Sequence, residues 1–210
     1  ILGGFLPGCS KESLTRGKPP VKIVPLTEFM CRMRKYEWKE RDAMACSLLA
    51  DVQVDSITDL KPEWFAKRGI RLMLLDFDNT IVAYTVSEPS QCFLDWLQAL
   101  EKAGVAVMVV SNSRRSHRVP DFCQKWGLPW IKRAGKPNPK GIRRAMAQQG
   151  MTPEETAMAG DQTFTDILGG NLAGVTSVLV RPIHFSNPFQ VIRYGLELPW
   201  IALGRRKRKR

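Results

Sequence analysis

The 210-residue chain is 44% hydrophobic, enough to bury one substantial core, so one domain with tails is expected. Its net charge of +12 is unevenly placed: residues 1–43 carry nine basic and five acidic groups, residues 44–204 carry 17 and 15, and the last six residues, RRKRKR, are all basic. No run approaches about 18 apolar residues, which excludes a transmembrane helix; five scattered cysteines without a CxxC pair exclude a zinc ribbon or disulfide framework and read as reduced thiols of a cytosolic protein.

Residues 3–25 are rich in Gly, Pro, Ser and Lys, and the sequence begins with Ile1, so residues 1–43 are expected to be a disordered or non-native N-terminal extension, with a short helix within Leu26–Arg41. From Met44 to Gly69 the chain reads as a lead-in, with Thr58 or Asp59 capping a short helix through Pro62, Trp64 and Phe65 and Gly69 ending it. Leu72–Leu75 is an apolar run of strand length that stops abruptly at Asp76, Asp78 and Thr80, as a central parallel strand does at its carboxyl end. Two acids that close repel unless a cation lies between them, so the pair asks for a hard divalent metal, most simply Mg2+.

A helix is predicted from Glu88 to Ala103, with Pro89 at its start and Phe93, Leu97 and Leu100 on one face. The strand Val105–Val110 follows and stops at Ser111, Asn112 and Ser113. After a basic helical stretch and a short strand, Leu128–Ile131, the loop KRAGKPNP leads to a helix that starts at Asn138 and Pro139 and closes at Gly150. Thr152–Glu155 is a capping box in sequence. The strand Thr156–Gly160 runs into GDQTFTD, then a helix ending near Gly169 and Gly170, then the strand Thr176–Val180. Strands alternating with helices of 10 to 15 residues indicate a doubly wound α/β fold, a parallel sheet with helices on both faces. Neither G-x-G-x-x-G nor G-x-x-x-x-G-K-[ST] occurs, so the dinucleotide and P-loop readings lack their phosphate loops.

Four strand ends carry polar groups: Asp76 and Asp78, then Ser111, then Lys136, then Asp161 and Asp166. In a parallel sheet they open on one edge and can converge. The ordered set DFDNT, VVSNS, GKP and GDQTFTD resembles the haloacid-dehalogenase (HAD) superfamily of phosphotransferases, over roughly Asp55 to Arg181. The resemblance implies that Asp76 is the nucleophile, that Asp78 is the general acid and base, and that Asp76, Asp78 and Asp161 form the Mg2+ site. It further implies that Ser111, Asn112 and Lys136 bind phosphoryl oxygens and that Asp166 orients a water or Lys136. Thr80 either caps the turn after the acids or has a family role. Taken singly, Ser111 and Asn112 also suit an ordinary strand-end turn, Lys136 a surface charge and Asp166 a helix N-terminal charge. His117 and His184 have no partner at ligand spacing, and the six tryptophans read as core or interface residues.

Thirty residues lie between Thr80 and Ser111 and 24 between Ser111 and Lys136, too few for an inserted cap domain. The resemblance is therefore to the capless third subclass (IIIA), and within it to the YqeG-type branch related to phosphatidylglycerophosphate phosphatases. It is carried by VDSITDLKPEWFAKRGIRLMLLDFDNTIV at 54–82, SNSRRSHRV at 111–119 and GDQTFTDILGGNLAG at 160–174; Ser113 departs from the second Asn common there. On this reading residues 44–182 are the phosphatase core. Arg114, Arg115, Arg118 and Arg133 either grip the phosphodiester of a phosphorylated lipid or form a solvated basic face. Residues 183–210 form an apolar, aromatic and polybasic tail, which Pro188 and Pro199 limit to short helices; it is expected either to lie on an anionic membrane or to pack on the sheet.

The resulting expectation is a Mg2+-dependent phosphatase acting on phosphatidylglycerophosphate, cytoplasmic and peripherally bound to the inner membrane face. Alternatives are a phosphatase of nucleic-acid ends or phosphoproteins, and a basic RNA- or ribosome-binding protein on the same fold.

Overall fold

The computed structural model describes residues 47–113, 117–185 and 188–207, without the side chains of 205–207. The expectations for residues 1–43 and for Arg114 and Arg115 fall outside these. Six strands form one parallel sheet: β1 (Val52–Val54), β2 (Leu72–Leu75), β3 (Ala106–Ser111), β4 (Trp130–Lys132), β5 (Thr156–Gly160) and β6 (Thr176–Val180), in the order β1-β6-β5-β2-β3-β4. The helices are α1 (Pro62–Arg68), α2 (Gln91–Lys102), α3 (Arg118–Trp126), α4 (Lys140–Gln149), α5 (Leu168–Ala173) and α6 (Pro188–Lys207).

The most apolar run occupies the centre. β2 is buried at all four residues and pairs with both β3 and β5, Leu72 lying beside Ala106 and Thr156. Side chains alternate across it. Met73 and Leu75 join a core layer with Phe65, Phe93, Trp96 and Phe122 of α1–α3. Leu72 and Leu74 face Ile142, Ala145 and Met146 of α4 and Ala173 of α5 on the other side. Helices therefore cover both faces, and among the described residues no cap domain interrupts them.

Local chemistry moves several predicted boundaries. The lead-in contains edge strand β1, which pairs with β6. Ser56, not Thr58 or Asp59, is the cap there: it closes a reciprocal box with Asp59 around a single 3-10 turn, and α1 starts independently at Pro62. α2 begins two residues beyond Pro89, where Ser90 Oγ accepts from the Phe93 N–H. In TPEE, Glu155 Oε2 accepts from both Thr152 N–H and Thr152 Oγ1–H, but the closed turn feeds β5 rather than a helix.

Two expectations near the C-terminus are corrected. Gly169 and Gly170 lie inside α5, which ends at Gly174 with φ 78°. A Cβ at Gly169 would lie a tight 3.3 Å from Pro137 Cα, whereas one at Gly170 would meet Met158 Cβ at an ordinary 3.4 Å. The tail is also one helix of 20 residues with Pro199 inside it, not short pieces. Pro199 leaves the Gly195 carbonyl without its helical donor, and both residues are exposed, where water can satisfy it.

Candidate active site

All the chemistry gathers at the carboxyl ends of the central strands. Asp76 is the first residue after β2, and its N–H donates to the Ala159 carbonyl of β5 at 2.8 Å, so the sheet hydrogen bonding extends through the acid. Asp161 directly follows β5. Asp166 comes from the next element, one turn of π-helix over Thr163–Ile167; such insertions are frequent at functional sites. Carboxylate oxygens of Asp76, Asp161 and Asp166 all lie within 4.8 Å of one another, each residue buried. Gly160 permits this closeness, because a Cβ there would stand 2.2 Å from Asp166 Cγ.

Lys136 enters from the loop after β4. Its ammonium lies 2.8 Å from Asp76 Oδ1 and 2.7 Å from Asp166 Oδ1, and donates to the Val110 carbonyl at 2.7 Å. Burial alone would lower its pKa, but the carboxylates of Asp166 and Asp76 outweigh that and push it up to about 12. Lys136 is therefore a fixed cation. The acids are under opposite pressure. Burial, reinforced by the charges of Asp166 and Asp76, raises Asp161 well above the ordinary carboxyl range against the pull of Arg193. Burial likewise pushes Asp166 up to about 6, although Lys136 opposes it.

A divalent metal fits this donor set. Asp161 Oδ1 is buried with no hydrogen-bond partner. Counting Glu197 with the three aspartates, four buried acids face Lys136 and Arg193 among the described residues, so two negative charges are in excess when all are ionised. One dication among hard oxygen ligands offsets that excess and the desolvation cost together.

The expected pairing of Asp76 with Asp78 as metal ligands is not what the structure shows. Beyond β2 the chain turns, and the Asp78 carboxylate pairs with the Arg118 guanidinium of α3 rather than joining the acid cluster. Arg118 also donates to the carbonyls of Ala83 and Val86, each at 2.7 Å, and lies over the rings of Phe77 and Tyr84. It holds the acid loop, and those contacts occupy the group expected to grip a substrate phosphodiester.

Asn112 is similarly committed. Its Oδ1 accepts from the Lys136 N–H at 2.9 Å and its Nδ2 donates to the Lys136 carbonyl at 2.8 Å, so it anchors the lysine loop instead of facing phosphate. Ser111 is buried at the end of β3 and its Oγ accepts from the Ser113 N–H at 3.0 Å. Thr80 is buried with its hydroxyl unpaired. Arg133 is exposed at φ 53°, three residues before Lys136.

Sequence reasoning missed two residues of α6. Arg193 Nη2 donates to Asp161 Oδ2 at 3.2 Å, and Glu197, one helical turn on, is fully buried. A signal existed: these are the only charges in the apolar stretch from Phe189 to Leu203, and they are four residues apart.

Residues 133–182 match the HAD-hydrolase-like family model. The probable phosphatase YqeG of Bacillus subtilis (strain 168) is 32% identical over 161 residues, 77% of this chain and 92% of that protein. A phosphoserine phosphatase of Thermus thermophilus is 48% identical over 46 residues, 22% of this chain and 18% of that one. Among solved structures, the cobalt-bound deoxy-D-mannose-octulosonate 8-phosphate phosphatase of Haemophilus influenzae aligns with TM-score 0.44 and 20% identity, over 54% of this chain and 69% of its own. The similarity to YqeG runs along nearly that protein's whole length, and on it the chain belongs to the HAD-like phosphatases.

Proposed function

We propose that the protein hydrolyses a phosphomonoester through an aspartyl phosphate on Asp76, with Mg2+ held by Asp76, Asp161 and Asp166. The observation that carries this is the buried cluster of those acids around Lys136. When bound, the cation neutralises phosphoryl oxygens and makes the phosphorus more electrophilic. Lys136 fixes the Asp76 carboxylate through Oδ1 and adds positive charge where the transferring group becomes more negative. The Asp76 carboxylate forms a bond to phosphorus as the ester P–O bond breaks; Asp78 gives its proton to the leaving alkoxide. In the second half Asp78 takes a proton from the attacking water, and the acyl phosphate is cleaved. Ser111 lies at the β3 end of the same sheet edge and donates a hydrogen bond to the phosphoryl oxygens, Asn112 acting through the lysine loop.

The substrate we favour is phosphatidylglycerophosphate, presented by the cytoplasmic face of an anionic membrane. Three features support a lipid surface. No cap covers the site among the described residues. An open cleft of about 790 Å3 borders the acid loop at Thr80 and is lined by Ile81, Val86, Phe93, Ile183 and Phe185, although it does not include the acid cluster itself. Phe189, Ile192, Leu196 and Leu203 are exposed along α6, next to the basic run. Among the described residues no helix is long and apolar enough to cross a membrane, so contact would be peripheral.

The test is Mg2+-dependent phosphate release from phosphatidylglycerophosphate in vesicles, sugar phosphates, phosphopeptides and phosphorylated nucleic-acid ends. The lipid should be turned over at least tenfold more efficiently than the rest. A preference for nucleic-acid ends or phosphopeptides would replace the lipid assignment, and binding of RNA without any turnover would contradict the enzymatic one.

A further inference from the structure

We propose that Arg193, carried in by the C-terminal helix, is a positioning residue that holds Asp161 in its metal-binding orientation. This rests on the reading that Asp161 helps to hold the divalent cation.

The geometry is selective. Arg193 donates to Asp161 Oδ2, while Oδ1 of the same buried carboxylate has no hydrogen-bond partner. One oxygen is thereby pinned and the other left for a cation, which is how outer groups orient metal-binding side chains. The pair adds no net charge, since Arg193 and Glu197 cancel, so the cluster keeps the two-charge excess that suits a dication.

The helix is anchored where it must be to act this way. Gln53 Nε2 of β1 donates to the Ile201 carbonyl at 3.0 Å, and Ile201 packs with Ile167 of the π-turn and Leu179 of β6. Trp200 meets Phe164 edge-on with ring centres 5.5 Å apart. Gly204 lies close against Gln53, where a Cβ would stand 2.3 Å from Nε2 and make that amide shift. Glu197, one helical turn beyond Arg193, is fully buried. α6 thus packs along the element that presents Asp166.

Stability alone does not account for the pair. α6 turns Phe189, Ile192 and Leu196 outward while directing an arginine and a glutamate inward, the reverse of the usual pattern. Burying an arginine and a glutamate costs desolvation that apolar residues at these positions would not, so these charges are better explained by what they orient.

The experiment measures Mg2+ binding to full-length wild type, Arg193→Met and Arg193→Lys by isothermal titration calorimetry, with thermal unfolding of the metal-free proteins as the fold control. Arg193→Met should weaken Mg2+ binding by about 10- to 100-fold, the usual effect of losing an outer partner. Arg193→Lys retains a donor and a charge and should lose about three- to tenfold, less than the methionine variant; it decides the matter if Arg193→Met does not fold. Affinity equal to or tighter than wild type in the folded variants would overturn the inference and show Arg193 to be a bystander or a competitor for Asp161. A wild-type protein that binds no divalent cation would overturn the metal-site reading, and this inference with it.

Discussion

Asp78 and Arg118 show how a single contact assigns a role. Spacing from Asp76 suggests a shared metal, yet the guanidinium of α3 claims the carboxylate and ties it to the loop carbonyls of Ala83 and Val86. If Arg118 serves to hold a general acid, its loss should matter most when the leaving group needs a proton. Arg118→Met is expected to reduce kcat about 10- to 100-fold on alkyl phosphates, a fraction of the usual value of general acid catalysis, but less than about threefold on an aryl phosphate with an acidic leaving group. Steady-state kinetics on both ester types checks this, and equal losses would show that Arg118 only supports the loop. At this scale the sequence was informative where topology does the gathering: Asp76, Asp161 and Asp166 follow strands or turns at one sheet edge. It was uninformative where a side chain chooses among neighbours. Nothing in SNS reveals that Asn112 spends both amide ends on the Lys136 backbone.

The elements were legible in proportion to their burial. β2, β3, β5 and β6 announce themselves because a central parallel strand is apolar on both faces, whereas β1 is a three-residue edge strand with partly exposed residues and no pattern to read. The glycines misled for a physical reason: Gly169 and Gly170 look like helix terminators, but neither has the left-handed backbone of one, and Gly169 instead packs closely on Pro137. Gly160 extends that point to function. Gly160→Ala places a methyl on Asp166, which cannot retreat without breaking its ion pair with Lys136 and its bond from the Gln162 N–H. The substitution should destabilise the fold by about 1 to 3 kcal/mol, the range for overpacking, and abolish most activity. Urea unfolding and phosphate release measure the two; an unchanged midpoint with full activity would mean that Asp166 has room the structure does not show.

Over the whole molecule, charge and chemistry are segregated. The body is near neutral, the acid cluster lies on one sheet edge, and the basic run begins in the last turn of α6, the helix that also reaches Asp161. Pro199 hid the continuity of that helix, and with it the meaning of two lone charges four residues apart in an apolar stretch. Removing residues 205–210 spares Gly204 and its seat on Gln53, so the site should survive. Each lost basic residue near an anionic surface is worth about 1 kcal/mol, so vesicle binding should fall by orders of magnitude at low salt, with turnover of a small soluble phosphoester unchanged. Vesicle sedimentation beside a soluble-substrate assay tests this. Undiminished vesicle binding would remove the tail from membrane delivery and leave the catalytic account standing. That account turns on a covalent bond to Asp76. Rapid acid quenching of the full-length enzyme during turnover of a phosphate-labelled substrate, followed by peptide mapping, should find a hydroxylamine-labile label on the peptide bearing Asp76. The label should require Mg2+ and disappear in Asp76→Asn. Steady turnover in Asp76→Asn, or a label on any other residue, would contradict it.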